Sequence, residues 1–277
     1  MENKIDIEAI AGEIMQVAGV EAVVLGGSRG RGNARPDSDT DIGIYFDAGA
    51  NFDIAALNRL ATKWDDEHRI DICTPVGGWG PWVVGGGWLR VKGEPVDFIY
   101  RELPRVARVI EDCIAGTVEI GYQAGHPFGF LSSIYMGEVA TCKVLRDPHD
   151  TLAALKRKTQ PYPPALKRAL TGMAWEAGFS LSMLPKTVAR EDSATLAGHA
   201  FRAVMCLTHA LFALNEQYCL NEKGAVQLAG TFPLCPPRYA ERVNEAFALL
   251  GTAPAKSQTM LEQLNAEVQQ LLAQGNF

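Results

Sequence analysis

Asp39 and Asp41 stand one residue apart at the end of the stretch Gly26 to Asp41, GGSRGRGNARPDSDTD, which follows the apolar run Ala22-Val23-Val24-Leu25. On a strand, residues two apart leave the backbone on one face, roughly 7 Å apart along its axis. Ile42, Ile44 and Phe46 then take the opposite face and are candidates for the core. Two carboxylates so placed repel each other unless a cation stands between them, and a divalent ion that prefers oxygen fits that position. The pair reads as a metal clamp. The plainer alternative is a polar strand entrance, because Asp and Ser suit turns.

The glycines favour the clamp. Gly26-Gly27-Ser28 after a strand lets backbone amides and the Ser28 hydroxyl face an anion at the start of a short helix, which Ser28 can cap. An anion site beside a metal clamp is the equipment of phosphoryl transfer. The spacing is not that of a P-loop, which needs G-x-x-x-x-G-K-[ST], and the stretch has no lysine. Arg29, Arg31 and Arg35 can meet phosphate oxygens in pairs, Arg31 first among them, or can be ordinary solvated turn residues.

A third carboxylate completes such a metal site, and Asp71 and Asp97 are the candidates. Asp97 is preferred. It sits between Val96 and Phe98-Ile99-Tyr100, where a charge without a partner is costly, whereas Arg69-Ile70-Asp71-Ile72 alternates like a solvent-facing strand. Glu138, among apolar neighbours, is either an acceptor base or a solvated helical glutamate. Lys223, ahead of Gly224, either reaches a phosphate or closes a helix C-terminus. His126 falls in a connecting loop where it can touch substrate, and the five histidines show no H-E-x-x-H spacing, so no zinc site is expected.

The elements that must hold these residues follow from periodicity. A helix is predicted over 5–18, strands over 21–25, 42–46 and 69–73, and a helix from an Asp53 cap through Trp64. Residues 88–91 and 95–100 form a hairpin through Lys92-Gly93-Glu94, and 102–114 a helix. Between the 69–73 strand and the hairpin, residues 74–88 are rich in glycine and carry Trp79, Trp82 and Trp88. That loop is either functional or a packed Ω-type loop anchored by its indoles. From 131 onward the pattern is helical, over 131–143, 149–158, 163–184, 192–220, 237–250 and 256–273, punctuated by prolines. The expected fold is α+β: a mixed-sheet domain over 1–130, then an all-α helical bundle domain over 131–277.

With 277 residues, 47% of them apolar, the chain can bury a substantial core, and a net charge of −6 with a pI near 5.5 argues against a dedicated nucleic-acid binder. The six cysteines form no C-x-x-C pair and read as buried, reduced thiols. The N-terminus has no signal-peptide pattern, and the apolar stretch 201–214 is too short to span a bilayer, so a cytoplasmic protein without a membrane partner is expected.

Taken in order, Gly27-Ser28, Asp39-Thr40-Asp41 and Asp97 resemble the signature of the DNA polymerase beta-like nucleotidyltransferases: a strand, a Gly-Ser turn, an Asp-x-Asp on the next strand and a third Asp on a later one. The resemblance covers about residues 20–100. The helical C-terminal half is similar in architecture to the kanamycin and lincosamide antibiotic nucleotidyltransferases. The resemblance implies a polymerase-beta palm-like sheet and transfer of a nucleoside monophosphate from a nucleoside triphosphate, ATP foremost, to a hydroxyl with release of pyrophosphate. It further implies that Asp39 and Asp41 hold Mg²⁺, that Gly27 and Ser28 hold the β and γ phosphates, and that Asp97 meets a second metal or takes the acceptor proton. The acceptor expected is a small hydroxylated molecule, an antibiotic among the candidates. The alternatives are a toxin-like or regulatory transferase acting on protein or tRNA, and a non-catalytic nucleotide-binding module.

Overall fold

The computed structural model describes residues 5–32, 34, 35 and 38–275. The chain forms two units, each discontinuous in sequence. The first comprises residues 1–111, 120–125 and 135–161, and the second 112–119, 126–134 and 162–277.

The first unit opens with α1 (Ile7–Ile14), capped by the Asp6 carboxylate, which accepts from the Ala9 amide at 3.0 Å. There follow β1 (Val20–Leu25), the short α2 (Gly27–Arg31), β2 (Thr40–Phe46) and α3 (Ile54–Trp64). Asp53 caps α3 as the sequence implies, accepting from Ala56 N at 2.8 Å. The hairpin is β3 (Gly86–Val91) and β4 (Glu94–Glu102), followed by α4 (Leu103–Ile114) and the two-residue strand β5 (Ile120–Gly121), while the two-residue strand β6 (Phe130–Leu131) falls in the second unit. Then come α5 (Ser133–Thr141), β7 (Lys143–Arg146) and α6 (Thr151–Lys158). β7 is a strand that the helical reading of this region missed. Its four residues are too few for a period-2 pattern to stand out.

Five strands make one mixed sheet in the order β3-β4-β2-β1-β7, with β2 and β4 parallel and the other neighbours antiparallel. One face is apolar. Ile42, Ile44 and Phe46 from β2, Val96, Phe98 and Tyr100 from β4, and Leu89 and Val91 from β3 bury against Ile10, Ile14, Leu57 and Ala61 of α1 and α3. Each large side chain removed from water this way contributes about 2 kcal/mol. The alternate residues of the same strands are thereby turned to the opposite face.

Residues 69–73, predicted as a strand, do not form one. His68 and Asp71 have positive φ, 50° and 54°, which breaks an extended run. Side chains do the work of a strand instead. The fully buried Asp65 carboxylate accepts from Arg69 Nε at 2.9 Å, from Arg69 Nη2 and from Arg90 N at 2.9 Å, so it ties the segment to the edge of β3. Asn58 brackets Cys73, donating to its carbonyl at 3.0 Å and accepting from its amide at 2.8 Å.

The second unit includes α7 (Pro164–Thr171), α8 (Ala174–Ser182), α9 (Leu184–Ala189), α10 (Ser193–Leu214), α11 (Ala225–Ala229), α12 (Tyr239–Leu249) and α13 (Pro254–Gln274). α10 ends at Leu214, short of the helix expected over 192–220, but extends well before the apolar stretch 201–214. By length and composition its 22 residues suffice to cross a membrane, but most of its apolar surface is buried inside the protein. Of the cysteines, five are buried and Cys235 is partly exposed, all as free thiols.

Asp65 yields a stability prediction. Its hydrogen bond from Arg69 and those from backbone amides hold its carboxyl well below the usual range, so its contribution is present above the ordinary Asp value and is lost as pH falls below about 4. Asp65→Ala should cost on the order of 3 kcal/mol in urea unfolding at pH 7, with a smaller difference from wild type in acid.

Candidate active site

The register of three adjacent strands assembles the site. β2 and β4 run parallel with Asp41 opposite Asp97, and β4 pairs with β3 so that Trp88 lies opposite Asp97. Residues directly opposite each other across a sheet share a face, so Asp41, Asp97 and Trp88 form one row on the face turned away from the apolar core. Asp39, exposed, lies one residue before β2. The Asp97 carboxyl is pushed up from 3.8 to about 6, by burial first and then by the negative charges of Asp41 and Asp39. The three carboxylates chosen from sequence therefore act on one another. Asp71 does not join them: it is exposed, on the bent segment before the glycine-rich loop.

Beside Asp41 stands the glycine turn. Gly26 N donates to Asp41 O at 2.8 Å, extending the β1–β2 ladder by one bond, and the chain then turns into α2. Gly27 has φ +55°, and a Cβ built on it would come 1.8 Å from Asp41 Oδ2. No side chain fits between the turn and the carboxylate, so the backbone at Gly27 lies directly against the acid. Ser28 does not cap α2. Gly26 occupies the cap position with no side-chain bond, because the helix starts two residues earlier than a Ser28 cap would imply and leaves Ser28 in its first turn.

Arg29 has a role that the sequence did not reveal. Its guanidinium donates to Ser38 O at 2.7 Å and Asp39 O at 3.2 Å, fixing the entry into β2, and it also meets Glu94 at 3.5 Å. Arg31 and Arg35 are exposed. Asn33, Pro36 and Asp37 lie outside the described residues.

Farther along the same face, Arg101 stands four residues after Asp97 and opposite Tyr45. Only 4% exposed, it donates through Nε and Nη2 to the two Glu138 oxygens, both at 2.7 Å, and lies over the Tyr135 ring. Glu138 is thus neither a freely solvated helical glutamate nor an unengaged carboxylate. It anchors α5 over the Tyr45–Arg101 row. The spacing of Arg101 from Asp97 on one strand was the available signal for this pair.

Lys223 and His126 belong to the second unit. Lys223 is exposed, its amide donates to Asn221 Oδ1 at 2.8 Å, and it precedes α11 rather than ending a helix. The helix before it stops at Leu214, so C-capping is not its role. His126 Nδ1 lies 3.1 Å from Glu222 Oε2, both side chains being mostly buried.

Among the described residues, no three His, Cys, Asp or Glu side chains form a ready-made metal cage. Magnesium rarely uses one. It is held by one or two carboxylates together with substrate phosphates and water. Asp41 and Asp97 side by side, with Asp39 adjacent and the charges of both other aspartates raising Asp97, are a donor set of that kind.

Residues 7–78 match the family model described as "Nucleotidyltransferase domain". Residues 131–223 match a model described as "Domain of unknown function (DUF4037)". Among solved structures, the chain is similar to a nucleotidyltransferase-like protein from Exiguobacterium sibiricum 255-15, at 9% identity and a TM-score of 0.42, over 92% of this chain and 69% of that one. A search of curated proteins finds no match. Asp97 lies beyond the matched N-terminal segment, and strand register alone brings it to Asp41.

Asp97 carries a pH signature. The folded protein holds its proton more tightly than the unfolded chain, so the stabilisation is complete below about 4 and disappears as pH rises through about 6. In metal-free protein at pH 7.5, Asp97→Asn should raise stability by on the order of 1 kcal/mol, the shift being discounted for partial exposure. It should also flatten the decline between pH 4 and 6, as followed by thermal unfolding.

Proposed function

We propose, from the match of residues 7–78 to the nucleotidyltransferase domain model, that the chain moves a nucleoside monophosphate from a nucleoside triphosphate, ATP foremost, to a hydroxyl of a small molecule. Pyrophosphate is released. The observation that carries the reading is the facing pair Asp41 and Asp97, beside a turn whose backbone at Gly27 lies against the Asp41 carboxylate. An antibiotic is one acceptor of the right kind. The acidic net charge favours a small acceptor over RNA.

In this reading Asp39 and Asp41 hold Mg²⁺, with Asp97 completing the site. When bound, the ion neutralises triphosphate charge and orients the phosphorus for attack. The amide of Gly27 and the hydroxyl of Ser28 receive the β and γ phosphates, and exposed Arg31 adds a cation there. Lys223 is a further candidate for phosphate on charge and exposure alone. Asp97 accepts the proton of the acceptor hydroxyl as the new O–P bond forms and the bond to the pyrophosphate oxygen breaks. A carboxyl whose value lies near 6 is ionised at pH 7 yet basic enough for that transfer. Arg29 and the Arg101–Glu138 pair are positioning residues, the first for the entry to β2 and the second for α5 over the sheet.

Two measurements test the reading. Calorimetric titration with a non-hydrolysable triphosphate analogue should show binding with Mg²⁺ and at least about tenfold weaker binding with EDTA. Equal affinity would contradict the clamp. Gly27→Ala, which drives a methyl into the Asp41 carboxylate, should abolish that Mg²⁺-dependent binding.

In a transfer assay with labelled triphosphate, Asp97→Asn should leave analogue binding within a few-fold while turnover falls ~100-fold or more. Asp71→Asn should leave both unchanged. Transfer that survives in Asp97→Asn and is lost in Asp71→Asn would reverse the assignment.

A further inference from the structure

Trp88 and Trp79 have no part in the chemistry above, yet the chain takes trouble to display them. Trp88 stands in the carboxylate row directly beside Asp97 and is 62% exposed. Trp79 stacks on it, with ring centroids 4.6 Å apart and planes 20° from parallel. Room for Trp79 comes from Gly86, where a Cβ would fall 2.5 Å from the indole and 2.0 Å from Phe98 O.

The loop that carries Trp79 is fixed in place. Gln123 Nε2 donates to Trp79 O at 2.9 Å, and Gln123 Oε1 accepts from Trp82 N at 3.0 Å and Val83 N at 2.9 Å. Trp82 itself is buried, with the Arg105 guanidinium 4.5 Å from its ring centre. The alternative of a loop anchored by its indoles thus holds for Trp82. It does not account for Trp88, which anchors nothing and keeps most of its surface in water.

The order across the sheet gives Trp88 a direction. The Gly27 turn stands beside Asp41, Asp97 is next, and Trp88 lies beyond Asp97 on the far side from the turn. In a phosphoryl transfer the entering and leaving oxygens lie roughly in line on opposite sides of phosphorus. With the leaving pyrophosphate at the turn, the entering hydroxyl comes from the β4–β3 side. We propose that Trp88, backed by Trp79, is the acceptor-side contact of this enzyme and takes the flat face of a ring whose edge hydroxyl reaches Asp97. A saturated ring offers C–H groups to the indole and an aromatic ring offers a stacking face, and either suits the exposed surface. This rests on the nucleotidyltransferase reading of the same site.

The test compares wild type, Trp88→Ala and Trp88→Phe, each shown to be folded by thermal unfolding. Each is saturated with Mg²⁺ and a non-hydrolysable triphosphate analogue. Saturation-transfer NMR then reads binding of two probe sets, methyl glycosides for saturated rings and hydroxylated benzyl alcohols for aromatic ones. Ring protons of one set or both should receive saturation in wild type, with binding weakened about fivefold or more in Trp88→Ala and largely kept in Trp88→Phe. The set that binds identifies the ring type.

Affinity for the triphosphate analogue should stay within twofold in both variants. The proposal is overturned if neither set binds wild type, if Trp88→Ala binds as well as wild type, or if Trp88→Ala loses the analogue, which would make the indole a nucleobase contact. Failure of the underlying reading looks different: wild type would not bind the analogue in a Mg²⁺-dependent way, whatever the ring probes do.

Discussion

Asp41 and Asp97 stand opposite each other in a parallel strand pair, so the backbone ladder forces two carboxylates onto one face with Asp39 close by. Strand pairing cannot relax to separate them without breaking the hydrogen bonds between β2 and β4. The repulsion therefore remains in the folded protein, and it is visible in the Asp97 carboxyl held near 6. Like charges kept together in this way favour a cation or a proton between them. The neighbouring features make sense relative to that demand. Gly27 leaves no side chain over Asp41, Arg29 fixes the entry into β2, and Trp88 flanks Asp97.

The opposite face supplies the rigidity. Ile42, Ile44 and Phe46 alternate with Asp41, Gly43 and Tyr45, so the residues that bury against α1 and α3 fix the direction of those that form the site. A slip of one residue in β2 would place the carboxylates in the core, which the cost of burying charge forbids. On the site face, one stretch is closed and another open. Arg101, Glu138 and Tyr135 cover the row at Tyr45, while the row at Asp41, Asp97 and Trp88 keeps access to solvent at the exposed indole.

Much of this was legible in the sequence because period-2 alternation and turn chemistry are local signals. The closeness of Asp39, Asp41 and the Gly27 turn was readable from their own neighbours, and Asp97 was preferred over Asp71 because it sits inside an apolar run. The misreadings came where a side chain at a distance substitutes for a local signal. Residues 69–73 alternate like a strand, but Asp65 and Asn58 occupy the hydrogen bonds that a neighbouring strand would make. Glu138 looked solvated because its partner Arg101 is 37 residues away. Ser28 was expected to cap α2, but Gly26 can adopt the extended cap conformation and begins the helix first. The divided character of the loop over 74–88, one indole buried and one displayed, depends on Gly86 and Gln123, which carry no recognisable pattern.

If Asp97 shares one charge-balanced site with the cation and the triphosphate, forming the ternary complex must release its proton. Isothermal titration of the Mg²⁺-bound triphosphate analogue into the protein at pH 6, repeated in buffers of different ionisation heat, gives the number of protons released. A carboxyl with a value near 6 is half protonated there, so wild type should release about half a proton more than Asp97→Asn. Equal release by the two proteins, with both binding the analogue, would mean that Asp97 stays outside the charge balance of the site and would contradict the account.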